Sequence, residues 1–331
     1  MNDRTVSRFD HQPWRDPPRL CDPFSRGAGA AGRRAEEMRK YARICVLAGA
    51  VVWMAASGDA PQAARSHNRL ASNRLASNRL ASNRLASNRL ASNALSSTKL
   101  EATAAAADLL STPEGREVYY YLISCALPFG ISIQAQVPGA ADIDTPGYSC
   151  SGESCTFRGS LGLADYWANH KLSPQGQRWV SACMFARVNA YDTAEGISLR
   201  GPHDSLTVGL EEARQFTLQE GAFFGNLFAD GDGPIDWNAC RGIDKAKGDE
   251  GGLTLRDCTE EDPANPGKTM CGFNYAGDCA NFSLGTPEPY SCRGTDDSGN
   301  YDDCHATAGD GHWPGARTYR EAITTYVAPG L

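Results

Sequence analysis

Ten cysteines between residues 125 and 304 constrain this chain more than any apolar pattern in it: Cys125, Cys150, Cys155, Cys183, Cys240, Cys258, Cys271, Cys279, Cys292 and Cys304. An even set in one region reads as five disulfides if the chain matures in an oxidising compartment. A structural metal site needs close Cys-x-x-Cys pairs, and Cys150-x4-Cys155 and Cys271-x7-Cys279 are too loose for that. The cysteines are unevenly placed. Residues 240–304 hold six of them among Gly, Asp, Asn and Pro, with little apolar periodicity. Such a stretch buries too little apolar surface to order itself. Cross-links must therefore restrict its unfolded chain, each contributing roughly 2–4 kcal/mol. Spacing leaves the pairing open.

An oxidising compartment requires export, and residues 38–57 supply the address independently. Arg39, Lys40 and Arg43 precede the apolar run Ile44–Ala56, and small residues follow, as in a secretory signal peptide. Ala55 and Ser57 fit the −3 and −1 positions, so cleavage is expected after Ser57. The run is shorter than the about 20 apolar residues of a membrane span, so no transmembrane span is expected in the mature chain. Cys45 has no small-residue lipobox before it. Residues 1–37, rich in Pro, Arg and Asp, are expected to be a mis-annotated leader, with Met38 the true start. Cys21 and Cys45 then leave the mature chain.

Residues 58–97 follow a different rule. The unit Asn-Arg-Leu-Ala-Ser starts at 68, 73, 78, 83 and 88, with a degraded sixth copy at Asn93. A period of five suits neither common element. On a helix it turns each leucine by about 140°, and on a strand it throws alternate leucines to opposite faces. A pentapeptide-repeat solenoid would put Asn inward and has too few units to stack. This segment is therefore read as a flexible basic tether. Arg69, Arg74, Arg79, Arg84 and Arg89 suit an anionic envelope polymer or an acidic protein surface.

Charge divides the chain at the same boundary. Residues 1–97 carry 16 Lys+Arg against 7 Asp+Glu, and residues 98–331 carry 16 against 32. An acidic domain of that kind lacks the basic face that gripping nucleic acid requires. Hydrophobic residues at 41% exclude a wholly disordered chain.

Within 98–331, Thr112-Pro113-Glu114 starts a helix running to about Leu127-Pro128. Ile131–Val137 alternates as a strand, and Cys155–Leu161 is a second, the connecting loop braced by Cys150 and Cys155. Ser173-Pro174 opens another helix, with Trp179, Val180, Cys183, Met184 and Val188 toward the core. Gly196–Arg200 and Ala322–Val327 read as further strands. The class is α+β: a small sheet with packed helices, then a loop-rich, disulfide-braced part from about 230 to 315.

The runs Ser124-Cys-Ala-Leu-Pro128, Trp179-Val-Ser-Ala-Cys-Met-Phe-Ala-Arg-Val-Asn189 and Glu220-Gly-Ala-Phe-Phe-Gly-Asn-Leu-Phe228 resemble an uncharacterised family of secreted bacterial proteins. Its members place short Asn- and Leu-rich tandem repeats between a signal peptide and a cysteine-bearing domain. The resemblance spans about 98–331 and implies the architecture, with no assigned activity.

No Gly-x-Ser-x-Gly, His-Glu-x-x-His, Walker or dinucleotide motif is present. Weaker candidates remain. Glu220 with Asn226, between glycines and phenylalanines, suits a general acid in an apolar pocket, or else a turn cap beside core aromatics. Asp230, Asp232 and Asp236, and Asp296, Asn300 and Asp302, alternate oxygen ligands as calcium prefers, without the Gly and Glu of an EF-hand. Calcium is the one candidate cofactor; simple solvated turns are the favoured reading of both loops, given those departures. His305 and His312, with Cys304 and Asp310 near, make a sparse transition-metal patch. His170 and His203 read as surface or hydrogen-bonded residues. The expected function is a binding or structural role at the cell envelope or outside the cell. The rivals are a secreted hydrolase using Glu220 and a precursor of repeat-derived peptides.

Overall fold

The structure, a computed structural model, describes residues 65–68, 70–71, 95, 109–190, 195–228, 236–247, 256–282, 289–309 and 317–329. The leader 1–37, the signal 38–57 and most of the arm 58–97 lie outside these residues.

Two pieces of the arm come first, β1 (Arg65–Asn68) and β2 (Leu70–Ala71). Helix α1 (Pro113–Ala126) begins where Thr112 Oγ1 accepts the Gly115 N–H at 3.1 Å, with Pro113 in the first turn beside Glu114. Pro128 prevents a further turn. Four antiparallel strands follow: β3 (Ser132–Gln136), β4 (Ile143–Asp144), β5 (Tyr148–Ser151) and β6 (Ser154–Arg158), in the order β3-β6-β5-β4. β3 alternates exposed and buried residues, as the sequence predicts. Cys150 and Cys155 face each other across β5 and β6 and are bonded. Helix α2 (Pro174–Ala186) starts on Ser173, whose Oγ accepts the Gly176 N–H at 3.2 Å. Trp179, Val180, Cys183, Met184 and Val188 are all buried, and Cys125–Cys183 ties α2 to α1.

The rest of the chain supplies β7 (Val188–Asn189), β8 (Glu195–Arg200), α3 (Leu210–Gln215), β9 (Leu218–Asn226), β10 (Asp236–Arg241) and α4 (Ile243–Ala246). Then come β11 (Asn274–Asp278), β12 (Tyr290–Thr295), β13 (Tyr301–Gly309), β14 (Thr318–Tyr319) and β15 (Ile323–Val327). They build a mixed nine-stranded sheet in the order β1-β8-β15-β9-β10-β11-β12-β13-β14. Its pairs are antiparallel except β10–β11 and β11–β12. β9 lies between β15 and β10 and is buried from Gln219 to Asn226, so it shows no polar alternation.

Two cores result. The larger joins both helices, the four-stranded sheet and residues such as Phe223, Leu227 and Phe228. The smaller holds ten buried residues, and four of them are Cys240, Cys279, Cys292 and Cys304. Cys240–Cys279 and Cys292–Cys304 pack against each other, with Cys240 Sγ 3.7 Å from Cys292 Sγ. Sulfur fills much of this second interior. The ten cysteines from Cys125 to Cys304 are all paired, the fifth bridge being Cys258–Cys271.

The class is α+β, as expected, but the main sheet is larger than the sequence suggests, and residues 230–315 contribute strands as well as loops. Those strands draw order from paired neighbours and cystines, which a one-dimensional apolar pattern does not record. The tether reading also needs correction at described points. β1 pairs antiparallel with β8, from Arg65↔Ser198 to Asn68↔Glu195. β2 pairs parallel with β7. Leu95 is buried, and its N–H donates to Trp167 O at 2.9 Å. The arm is thus held by the domain just before its repeats, within the first copy and within the degraded sixth.

Candidate functional site

Glu220 lies near the start of β9, where the strand runs under the segment that carries the Cys258–Cys271 bridge. Gly221 makes this approach feasible. A Cβ there would stand 2.2 Å from Cys240 O and 2.7 Å from Thr259 Cγ2. Behind it, Thr259 Oγ1 donates to Glu220 O at 3.2 Å. The Glu220 side chain is 1% exposed and meets an arginine that is 2% exposed: Oε1 lies 3.1 Å from Arg256 Nε. Its other oxygen accepts from Thr325 Oγ1 at 2.8 Å. Arg256 Nη2 donates to Ala186 O at the end of α2, at 2.7 Å, and the guanidinium lies 5.6 Å from the Phe223 ring centroid. Burial lowers the Arg256 pKa, opposed by the charge of Glu220.

This ion pair joins β9, β15, α2 and the Cys258–Cys271 segment. Where the sequence suggests a general acid in a pocket or a turn cap, the fold places Glu220 in a buried ion pair with Arg256. Phe223, Phe224, Leu227 and Phe228 are core. Sequence reasoning missed Arg256, because 35 residues of Gly- and Asp-rich chain separate it from Glu220 without a local motif. Asn226, also proposed for chemistry, ends β9 as a brace: Oδ1 accepts the Phe228 N–H at 2.8 Å, and Nδ2 donates to Gln177 at 3.3 Å.

Of the first acidic loop, Asp230 and Asp232 lie outside the described residues. Asp236 Oδ1 accepts from Asn238 Nδ2 at 2.8 Å, and Oδ2 lies 3.9 Å from Arg317 Nη1. In the second loop, Asp296 Oδ1 accepts the N–H groups of Ser298 and Asn300, both at 2.9 Å, while Asn300 Nδ2 donates to Oδ2 at 2.9 Å. That carboxylate organises the β12–β13 turn. Partial burial and the nearby Asp303 and Asp296 raise the Asp302 pKa. No three carboxylates of this loop bring oxygens within 4.8 Å of one another.

The transition-metal patch is described only in part. Cys304 is bonded to Cys292, His305 is buried, and His312 with Asp310 lies outside the described residues. Among the described residues, the one group of three or more His, Cys, Asp or Glu with ligand atoms within 4.8 Å of one another is Cys240, Cys279 and Cys292, and all three are in disulfides. Such sulfurs carry no thiolate for a metal.

His203 has a structural task. Its Nδ1 accepts the Ser205 N–H at 3.1 Å, capping a 3-10 turn over Asp204–Leu206, and its ring meets Trp179 edge-on at 5.1 Å. Burial lowers its pKa below the ordinary 6.5, against the charge of Asp204. Burial, then the charge of Arg293, lowers His305 as well. Protons therefore bind the unfolded chain first. Stability from these groups is complete above the unfolded value and declines as pH falls through about 6.5. Urea midpoints at pH 7.5 and 6 should show this fall, and His203→Asn, which keeps an acceptor without a titrating ring, should lessen it. A flat profile in the wild type would contradict the assignment.

The described residues thus contain five disulfides, two cores and a buried ion pair, and none of their helices is long and apolar enough to cross a membrane. Compared with known proteins, the chain matches no family model, no curated protein and no solved structure.

Proposed function

We propose that the protein is exported and has a binding role at the cell envelope or outside the cell, with the architecture of the repeat-bearing secreted proteins that its sequence resembles. The observation that carries this reading is the pairing of all ten domain cysteines, with two cystines filling a core that has few other large side chains. A chain built this way needs an oxidising compartment to mature. The signal-like segment 38–57 gives it the route. The basic repeats are the part turned to a partner, an anionic envelope polymer, while the acidic domain holds the arm through β1, β2 and Leu95.

Substituting Arg74, Arg79, Arg84 and Arg89 by Ser tests the reading while leaving those three anchors intact. Each arginine near a strongly anionic surface contributes roughly 1 kcal/mol. Retention of the mature chain on isolated envelopes in low salt should therefore fall at least tenfold, with melting unchanged. Equal retention by the substituted and wild-type chains would remove the repeats from the mechanism.

A further inference from the structure

A second charged feature lies at the other end of the nine-stranded sheet from β1. Along β12, β13 and β14, Cys292 pairs with Cys304 and Cys304 with Tyr319. These three are buried, so their neighbours point to the opposite face. The same register sets Arg293 opposite Asp303, with Arg320 on the other side of Asp303. Arg320 Nε donates to Asp303 Oδ1 at 3.3 Å. From α2, Arg178 reaches the same place and is held there by Glu321, Nε to Oε2 at 2.6 Å and Nη2 to Oε1 at 3.0 Å. Glu321 is buried, and the Cys292–Cys304 bridge fixes the strands that carry Arg293 and Asp303. Together with Thr318 these residues line a cavity of about 290 Å³.

The composition of this cavity runs against that of its domain. Three of only 16 Lys+Arg in residues 98–331, set against 32 Asp+Glu, converge on it. Each guanidinium has five N–H donors, so the lining offers about fifteen, while its two carboxylates accept about eight. The surplus holds with Arg293 left out of the sum. Organic ligands of drug size occupy roughly 300–1,000 Å³ of mainly apolar space. A polar cavity at the lower edge of that range suits a small ionic group. Its donors come from three separate elements rather than one fork. A planar carboxylate is satisfied by one guanidinium edge, whereas a tetrahedral oxyanion accepts from several directions.

We propose that the cavity lined by Arg178, Arg293, Arg320 and Thr318 binds a tetrahedral oxyanion, a phosphate or sulfate group, free or carried as an ester on a larger ligand. Asp303 and Glu321 hold Arg320 and Arg178 in place, and Arg293 lines the cavity with them. The site belongs to the folded domain and does not depend on the repeats.

Calorimetric titration of the mature chain in low salt, with inorganic phosphate, inorganic sulfate and glycerol phosphate, tests it. Saturable binding is expected, weakened at least about tenfold in Arg293→Ser/Arg320→Ser with the melting transition unchanged. Both side chains are exposed, and pairs of that kind add little stability. Arg293→Lys/Arg320→Lys, which keeps charge without the guanidinium, should bind less tightly than wild type. Arg158→Ser/Arg214→Ser removes the same charge from exposed positions elsewhere and should bind normally. Binding of glycerol phosphate alone would assign the site to an ester, and binding of the inorganic ions alone to free anions. No saturable binding overturns the proposal, as does equal binding by the Ser double variant, or equal weakening by the distant control. Envelope retention through the repeats is read separately, so either idea can fail without the other.

Discussion

Treated with dithiothreitol in the absence of denaturant, the mature protein is expected to lose its cooperative melting transition. The Cys125–Cys183 bridge closes a separation of 58 residues and Cys150–Cys155 one of 5. Loop closure assigns these about 4 and about 2 kcal/mol, and the five bridges together roughly 15 kcal/mol before allowing for nested loops. That equals the whole net stability of an ordinary domain, ~5–15 kcal/mol. The loss should be sharpest around the smaller core, where four of ten residues are half-cystines and few large apolar side chains remain to hold β10 to β13. Near-ultraviolet circular dichroism and calorimetry check the outcome. A thiol titration of the unfolded, unreduced chain should find none of the ten free. A reduced protein that still melts cooperatively near the oxidised temperature would show that the bridges are incidental to the fold.

Glu220→Gln should cost about 3–5 kcal/mol, the range for removing one partner of a buried ion pair. The change is nearly isosteric, so the loss reflects charge and not volume. Arg256 would keep its bond to Ala186 O but would remain a cation with 2% exposure and no counter-charge at 3.1 Å. Thr325 suffers less, since its hydroxyl also lies 3.3 Å from Gly221 O. Removing both charges, in Glu220→Gln/Arg256→Met, should recover part of the loss, because apolar replacement of a whole buried pair is often close to neutral. Urea unfolding of the two variants decides the matter. A Glu220→Gln midpoint within error of wild type would mean that water reaches the pair.

Much of the scaffold is legible in short stretches of sequence. Thr112-Pro113 and Ser173-Pro174 announce both long helices because capping is local: an oxygen acceptor and a fixed φ suffice. Ile131–Val137 announces β3 because one of its faces is wet. β9 is harder to read, since burial on both faces erases alternation, and Glu220 within it looks like chemistry until Arg256 is found. β12 and β13 are harder still. Tyr290-Ser-Cys-Arg-Gly-Thr295 has little strand propensity of its own and is ordered by the cross-strand cystine at Cys292. The arginine cavity is invisible in sequence, because Arg178 is separated from Arg293 and Arg320 by more than a hundred residues; sheet register aligns the latter two and the Glu321 ion pair brings Arg178 to them. The acidic loop at Asp296 is read differently at the two levels: alternating oxygens suggest an ion, while in the fold Asp296 Oδ1 accepts the backbone N–H groups of Ser298 and Asn300.

Leu70-Ala71 pairs with β7 and the Leu95 N–H donates to Trp167 O, so the segment of repeats has a tie to the domain at each end. Gain or loss of a copy changes its length in steps of five residues, and closing such a segment costs only about 0.6 kcal/mol more for each doubling. Copy number can therefore drift between strains with little effect on folding, while every added unit brings one more arginine. The dose of positive charge becomes a quantity that evolution can adjust without touching the domain that displays it.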